Sequence, residues 1–343
     1  MPLFSKNLGV DLGTMNVLIY EGGQIVLQEP SLVAVTAEED EGGNISVLEI
    51  GQPAREMMGR VDDEEMQIVR PLQNGVIADY EVTEFMLSYF FSRITGRLRF
   101  FKPTVMMSVP YGVTSVEKRA VFEAAMAAGA RKAHLIWEPL AAAIGVGLPV
   151  STPAGDMIIN IGGGITEAAV ISMNNIIRAD SGRVGGLRLD EAIMTYVRRK
   201  YNLIIGQPTA EAIKIQIGAA VNQPTEMSME IQGRDNVRGL PRSITLNTGE
   251  VVEALAEPLG TIATVARNVL ADTPPELASD IIDRGITLTG GGALLRGIEQ
   301  YLTRETGVPV YCADNPMISV AVGAGRALED PAILRRLAQQ TYY

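Results

Sequence analysis

The sequence predicts an α/β fold made of two related lobes that close on one anionic ligand, and three stretches carry that expectation. Residues 157–172 (MIINIGGGITEAAVIS) join two apolar runs through Gly162, Gly163 and Gly164. The β-branched flanks read as strands and the glycines as the turn between them. Residues 8–20 (LGVDLGTMNVLIY) repeat this layout 149 residues earlier, with Asp11 matching Asn160, Leu12 matching Ile161 and Gly13 matching Gly162. Residues 286–295 (ITLTGGGALL) are a third strand, running into Gly290, Gly291 and Gly292. Leu295, Ile298 and Leu302 follow at helical spacing, so these glycines are expected at a helix N-terminus, which favours anions. Without a Cβ a ligand can reach the backbone, and successive N–H groups can converge on phosphate oxygens. A duplicated strand–turn–strand therefore predicts two halves, each offering a phosphate loop to a shared ligand.

The remaining elements follow in order. Residues 25–35 are strand-like, with Pro30 as a break or an edge, and residues 36–44 read as an acidic loop. Residues 54–65 are expected to be helical, ending before Arg70-Pro71-Leu72. Residues 81–94 have helical spacing through Val82, Phe85, Met86, Tyr89 and Phe90. Residues 104–109 read as a buried strand. Thr114 or Ser115 caps a helix over 116–128, with Glu117 in its first turn and Gly129 at its end. After a short strand at 135–137, Glu138-Pro139 opens a helix through residues 141–144, since proline is favoured at a helix start. That puts Glu138 at the positive end of the helix dipole, where it serves the helix or, beside phosphate loops, orients a water. In the second half, Gly185-Gly186 precedes a helix over 189–201, and residues 209–220 form another that carries Glu211 and Lys214 at i, i+3. By spacing alone that pair is a solvated salt bridge. Residues 227–242 alternate as strands, 251–269 form a long helix, and 314–316 form a turn. Residues 319–328 form a helix whose two glycines imply close backbone approach.

Composition narrows the function. The chain has 343 residues, 47% hydrophobic and 20% charged, which suits two domains or one large bilobed one. A net charge of −11 argues against general nucleic-acid binding. The single cysteine, Cys312, excludes a disulfide framework and fits a reducing cytoplasm. The single histidine, His134, argues against a Ser-His-Asp enzyme or a histidine metal site and reads as structural. No apolar run is long enough to span a membrane, and the N-terminus has no signal-peptide core. Neither G-x-G-x-x-G nor G-x-x-x-x-G-K-[ST] occurs.

With these stretches in view, the sequence resembles the MreB family of bacterial actin homologues, in the superfamily of actin, sugar kinases and heat-shock chaperone ATPases. Residues 11–16 (DLGTMN) resemble the first phosphate loop, and Gly290–Gly292 the adenosine-side loop. Residues 70–79 (RPLQNGVIAD), 109–119 (VPYGVTSVEKR), 138–145 (EPLAAAIG), 185–193 (GGLRLDEAI) and 209–214 (TAEAIK) resemble family-specific stretches. The resemblance covers nearly the whole chain. It implies a duplicated actin-like ATPase fold, two lobes each with a large and a small subdomain, hinged around ATP and Mg²⁺. The first lobe is expected at 1–150 with its small subdomain at about 34–77, the second at 151–318 with its own at about 187–250. Residues 319–343 are expected to return to the first lobe. Thr14, Met15 and Asn16 would meet the β- and γ-phosphates, and Gly162, Gly163 and Gly164 would close from the other lobe. Glu211, Ala212, Ile213 and Lys214 would face the nucleoside, with Gly290, Gly291, Gly292 and Ala293 beneath it. Glu138 would position the attacking water, and Asp11 would serve the metal. Two positions depart from the family pattern. Asn160 stands where an aspartate is usual, which removes a charge beside the metal. Ile165 stands where a threonine is usual and cannot hydrogen-bond a water or a phosphate. Both affect hydrolysis more than binding.

A membrane contact is expected from local charge. Five of the seven phenylalanines lie between Phe85 and Phe101, and residues 93–102 (RITGRLRFFK) carry four positive charges and no negative one. A core helix followed by a basic loop would account for this. Alternatively, Leu98, Phe100 and Phe101 insert at the headgroup boundary while Arg93, Arg97, Arg99 and Lys102 meet anionic lipid, assisted by Leu3 and Phe4, as in the membrane-insertion loop of the resembled family. The favoured function is an ATP-dependent, membrane-associated cytoskeletal filament built from copies of the chain, cytoplasmic, acting with cell-wall synthesis proteins to organise cell shape. The alternatives are a small-molecule kinase of the same superfamily, for which no sugar pocket or acceptor-activating carboxylate is evident, and a nucleotide-binding paralogue with little hydrolysis. A chaperone ATPase would continue into a peptide-binding domain.

Overall fold

The computed structural model describes residues 6–36, 46–61, 65–96 and 102–340. The chain starts with an antiparallel meander, β1 (Asn7–Leu12), β2 (Asn16–Glu21) and β3 (Gln24–Pro30), and β3 stops at the proline. An insertion follows: β4 (Val33–Thr36), β5 (Val47–Ile50), α1 (Gln52–Met57) and β6 (Met66–Val69). A small hairpin of β7 (Leu72–Gln73) and β8 (Val76–Ile77) leads into α2 (Tyr80–Thr95), capped by Asp79 on the Val82 N–H. Then come β9 (Thr104–Val109), α3 (Ser115–Ala127), β10 (Lys132–Trp137) and α4 (Glu138–Val146). Thr114 and Glu117 form a reciprocal capping box on α3, which fixes its start.

The second half opens with another meander, β11 (Asp156–Ile161), β12 (Thr166–Ser172) and β13 (Asn175–Gly182). Next are α5 (Gly186–Tyr201), β14 (Leu203–Ile204), α6 (Gln207–Ile217), β15 (Ser228–Asp235), β16 (Pro241–Asn247) and α7 (Thr248–Ala271). The chain ends with α8 (Pro275–Arg284), β17 (Ile286–Thr289), a 3₁₀ turn (Gly291–Leu294), α9 (Ile298–Thr306), β18 (Val310–Cys312), α10 (Ser319–Glu329) and α11 (Pro331–Gln340).

The two halves have the same sheet. One runs β10-β9-β1-β2-β3 and the other β18-β17-β11-β12-β13, each a meander extended by two parallel strands. The central strands β9, β11 and β12 are buried at every residue, as expected of near-continuous apolar runs covered on both faces. Three-stranded sheets, β5-β4-β6 and β14-β15-β16, sit at equivalent places in the two lobes. Each lobe has its own core, one around Phe90, Met86 and Val105, the other around Ile159, Ile193 and Leu255. A third cluster crosses between the lobes through α4 and α10, joining Met106 and Ile136 to Ile158 and Ala169.

That crossing depends on glycine. A Cβ on Gly323 would lie 1.7 Å from the Ala141 carbonyl oxygen, and one on Gly145 1.9 Å from that of Ser319. A Cβ on Gly9 would fall 2.1 Å from the Gly325 nitrogen, so α10 lies directly on β1 as well. The close approach expected of the helix over 319–328 is therefore present, and it joins that helix to the first lobe.

Three local expectations are corrected. The helix expected over 54–65 is α1, ending at Met57, because Met58 is extended and Gly59 takes φ +70°. The 290–292 glycines open a 3₁₀ turn rather than an α-helix, and α9 begins only after Gly297, at φ +72°. The helix expected over 209–220 starts at Gln207, with Pro208 in its first turn, and ends at Gly218.

Replacing Gly323 by alanine is expected to destabilise the chain by about 3 kcal/mol, the upper part of the usual cost of overpacking, since the atom it meets is backbone. Gly260 lies inside α7 with nothing near its Cβ position. Its replacement by alanine should stabilise by about 0.5–1 kcal/mol. Chemical denaturation of the two variants measures both.

Candidate functional site

The two meanders present their first turns to each other. In β1–β2 the Gly13 N–H donates to the Asn16 carbonyl at 3.2 Å, and in β11–β12 the Gly162 N–H donates to the Ile165 carbonyl at 2.8 Å. The turns are thus built alike, and they touch. A Cβ on Gly163 would lie 2.2 Å from Met15 Cγ, and one on Gly164 2.8 Å from Thr14 Oγ1 and 3.0 Å from Asn74 Cα. The second loop needs glycine because the first loop packs on it. At the third loop, a Cβ on Gly290 or Gly292 would strike Ile161 at 2.3 or 2.2 Å, and only Gly291 faces open space.

Between the lobes lies a cavity of about 330 Å³. It is walled by Asp11, Thr14, Met15, Asn16, Glu138, Gly162, Gly163, Gly164, Glu211, Lys214, Gly290, Gly291 and Gly292, so most residues singled out from the sequence meet there. Ala212, Ile213 and Ala293 do not line it. Ile213 and Ala293 are buried in the second-lobe core, where their side chains hold α6 and the 3₁₀ turn in place. Leu98, Phe100 and Phe101 lie outside the described residues, as do Leu3 and Phe4.

The cavity wall combines polar and apolar side chains. Its apolar members include Ile215, Leu294 and Met317, all exposed, and Arg296 also lines it, with Nη1 donating to the Gly218 carbonyl at 3.2 Å. Sequence reasoning missed these residues, because an isoleucine or leucine at helical spacing reads as core. Glu211 and Lys214 do not pair with each other, contrary to the plain helix salt bridge. Lys214 Nζ reaches the fully buried Asp190 at 2.7 Å and the Gly186 carbonyl at 2.9 Å. Glu211 pairs with Arg55 of α1 at 2.7 Å, and Arg70 reaches Gln207 at 3.3 Å, so both contacts cross from one lobe to the other. Thr14 Oγ1 accepts from the Gly75 N–H at 2.9 Å. Thr166 does not take over the part of a threonine at 165, because its buried hydroxyl donates to the Val184 carbonyl at 2.7 Å. His134 sits in the β9–β10 ladder opposite Met106.

Acids gather at and behind the wall. Glu138 is the first residue of α4, buried, with Pro139 beside it in the first turn. Burial, then repulsion from Glu167 and Asp11, holds its carboxyl well above the usual range. Asp11 is pushed up to about 7 by burial, partly opposed by the Ser108 hydroxyl, which donates to it at 3.2 Å. Glu167, unnoticed in the sequence, is fully buried and likewise pushed to about 7, chiefly by burial.

These acids bind protons more tightly in the folded chain than in the unfolded one, where carboxyls titrate near ~4. Between about pH 4 and 7 the folded state holds the extra protons, so stability falls as pH rises through that window. The unfolding midpoint of the ligand-free chain is expected to drop between pH ~4 and ~7. Asp11→Asn should flatten that slope in thermal melts across pH.

Comparison with known proteins agrees with this architecture. The family described as MreB/Mbl protein matches residues 5–336. The cell shape-determining protein MreB of Escherichia coli (strain K12) is 49% identical over 330 residues, 95% of this chain and 94% of that one. The cell shape-determining protein Mbl of Bacillus subtilis (strain 168) is 46% identical over 329 residues, 96% and 97% of the two chains. The crystal structure of MreB 5 of Spiroplasma citri bound to AMPPNP has a TM-score of 0.89 and 36% identity, covering 99% of this chain and 100% of that one. The MamK double helical filament, 21% identical over 95% of this chain and 99% of that one, shares the fold at a TM-score of 0.77. Matched in sequence from end to end and in the arrangement of its two lobes, the chain belongs to the MreB/Mbl family of actin-like proteins.

Proposed function

We propose that this chain is an ATP-binding, actin-like cytoskeletal protein that polymerises into membrane-associated filaments and organises cell shape together with cell-wall synthesis. The observation that carries this reading is the cavity that both lobes wall with equivalent turns, lined by buried acids as well as by apolar side chains. That mixture suits a nucleotide, with phosphates at the paired turns and the base against Ile215, Leu294 and Met317. The relatives support it, since the Spiroplasma protein was crystallised with AMPPNP and with ADP, and the Escherichia and Bacillus relatives are named for cell shape. A filament of MamK shares the fold.

In this reading Thr14, Met15 and Asn16 meet the β- and γ-phosphates, and Gly162, Gly163 and Gly164 close over them. Gly290, Gly291 and Gly292 lie under the nucleoside, beside Glu211 and Lys214. Mg²⁺ fits the donor set as an ion carried largely by phosphates and water, with Asp11 as its protein carboxylate. Among the described residues no cluster of three or more acidic, histidine or cysteine side chains is arranged to hold a metal alone. Bound there, the ion would neutralise phosphate charge next to carboxyls that burial pushes up. Glu138 orients the attacking water. Hydrolysis is slow, because Asn160 and Ile165 remove a charge and a hydroxyl and Thr166 is already committed to Val184.

The membrane contact is made by Leu98, Phe100 and Phe101 with the basic residues around them. No helix among the described residues is long and apolar enough to cross a membrane, so attachment is peripheral. Basic side chains contribute about 1 kcal/mol each near an anionic surface. Insertion adds about 0.8 kcal/mol per buried CH₂. One copy binds weakly, and a filament binds by avidity.

Two experiments test these readings. Sedimentation and electron microscopy should show filaments with ATP and Mg²⁺ that pellet with anionic vesicles. Binding should fall at high salt and in the variant Leu98→Ser/Phe100→Ser/Phe101→Ser. Equal binding by that variant would remove the insertion, and no filaments in any nucleotide state would remove the cytoskeletal function. Separately, Asn160→Asp with Ile165→Thr should raise phosphate release on the order of 10²-fold, the usual worth of one well-placed polar contact to a reacting centre. A double variant slower than the wild type would show that neither position limits hydrolysis.

A further inference from the structure

Glu138 is the only acid to which the reading above gives a part in orienting water, yet a second acid is packed behind it. Glu167 sits within β12, fully buried, and does not line the cavity. Its partner across the β11–β12 ladder is Asn160, so both side chains project from the same face of the sheet. Glu167 Oε1 accepts from the Tyr111 N–H at 2.6 Å, and Tyr111 follows β9 in the first lobe. The carboxyl of one lobe is thus tied to the backbone of the other. Glu167 Oε2 is also buried, and it has no hydrogen-bond partner. Interiors rarely leave a carboxylate oxygen in that state, because the hydration it has lost is not replaced.

The group within reach is the Glu138 carboxyl. Two ionised carboxylates would repel there, and neither could donate. A proton on Glu138 resolves both problems. Its hydroxyl donates to Glu167, and its second oxygen remains an acceptor at the cavity wall that Glu138 lines. The other elements around the pair support the same arrangement. Asp11 on β1 adds negative charge that favours a protonated Glu138, while the Ser108 hydroxyl on β9 is occupied by Asp11. The Thr289 hydroxyl on β17 donates to Asn160 Oδ1 at 3.3 Å, which fixes the amide that sits across the ladder from Glu167.

We infer that Glu167 is a positioning residue for Glu138: held to the first lobe by the Tyr111 N–H, it accepts the Glu138 hydroxyl and so aims the free Glu138 oxygen at the attacking water. Glu167 touches neither water nor nucleotide and acts through Glu138. The inference rests on the hydrolytic reading of the site, and its test keeps the two apart.

The infrared C=O stretch of protonated carboxyl groups, recorded on the ligand-free full chain at neutral pH, reads the Glu138–Glu167 bond without any turnover. Above the contribution of Asp11, whose carboxyl burial also pushes up to about 7, the wild type should show a buried-acid component that is lost in both Glu138→Gln and Glu167→Gln, because glutamine at 167 presents N–H groups to Glu138 and leaves nothing to accept its proton. In parallel, Glu167→Ala should lower phosphate release at saturating ATP by about tenfold or more, the effect of a misaimed reacting group. Its ATP affinity should stay within about threefold of wild type, as for a group that acts on orientation alone. Glu167→Gln, which still accepts from Tyr111 but cannot accept the Glu138 proton, should stay close to the alanine variant in rate, whereas a role confined to packing would restore it. A component that survives in Glu167→Gln would overturn the proposal, as would a Glu167→Ala variant whose ATP binding falls in step with its phosphate release. No phosphate release from the wild type, with the bands behaving as stated, would overturn the hydrolytic reading and leave the hydrogen bond standing.

Discussion

The molecule depends on one backbone-to-backbone contact, the crossing of α4 and α10. Gly145 and Gly323 let the two helices meet at a distance that no side chain allows, and Gly325 seats α10 on β1 beside Gly9. Because α4 begins at Glu138 and α10 follows the Pro316 turn, that crossing fixes where the cavity has its acid and where it has its far wall. It also carries the only one of the three large cores that draws strands from both sheets. The lobes are joined by the densest packing available to a polypeptide, so their relative position is set by sterics more than by any ion pair.

Much of this was legible in the sequence, for identifiable reasons. The duplication was visible because a strand–turn–strand with glycine at its bend leaves a pattern of period two around a fixed breaker, and the match of Asp11 to Asn160 survives as equivalent sheet positions. The start of α3 was visible because a capping box is a local device. Glu138 could be placed because proline marks a helix start. Less legible was whatever depends on the opposite lobe. The glycines of the second loop were assigned to ligand approach, whereas Gly163 and Gly164 yield first of all to Met15, Thr14 and Asn74. Glu211 and Lys214 were neighbours on a helix, and their true partners, Arg55 and Asp190, lie 156 and 24 residues away in the chain. Glu167 followed a threonine in an apolar run and gave no local sign that it would be buried with two other acids. The apolar cavity wall was hidden for the converse reason, since Ile215 and Leu294 look like core residues and are exposed.

The concentration of acids at and behind the cavity wall is unusual for an interior. Asp11, Glu138 and Glu167 are enclosed together, and burial is the first cause of each displaced carboxyl. Such a group of acids is costly to the isolated fold and favourable once positive charge arrives, so stability is exchanged for affinity at this site. The neighbouring Asn160 reduces that cost by one charge.

The lobe-crossing contacts also differ in kind. The two turns interlock through packed atoms of Met15 and Gly163, whereas Arg55 meets Glu211 through a partly exposed ion pair. Packed atoms resist displacement whatever the solvent contains, but an exposed pair weakens as salt screens it. The arginine is therefore the tie between the lobes that ionic strength can loosen while the turns stay seated.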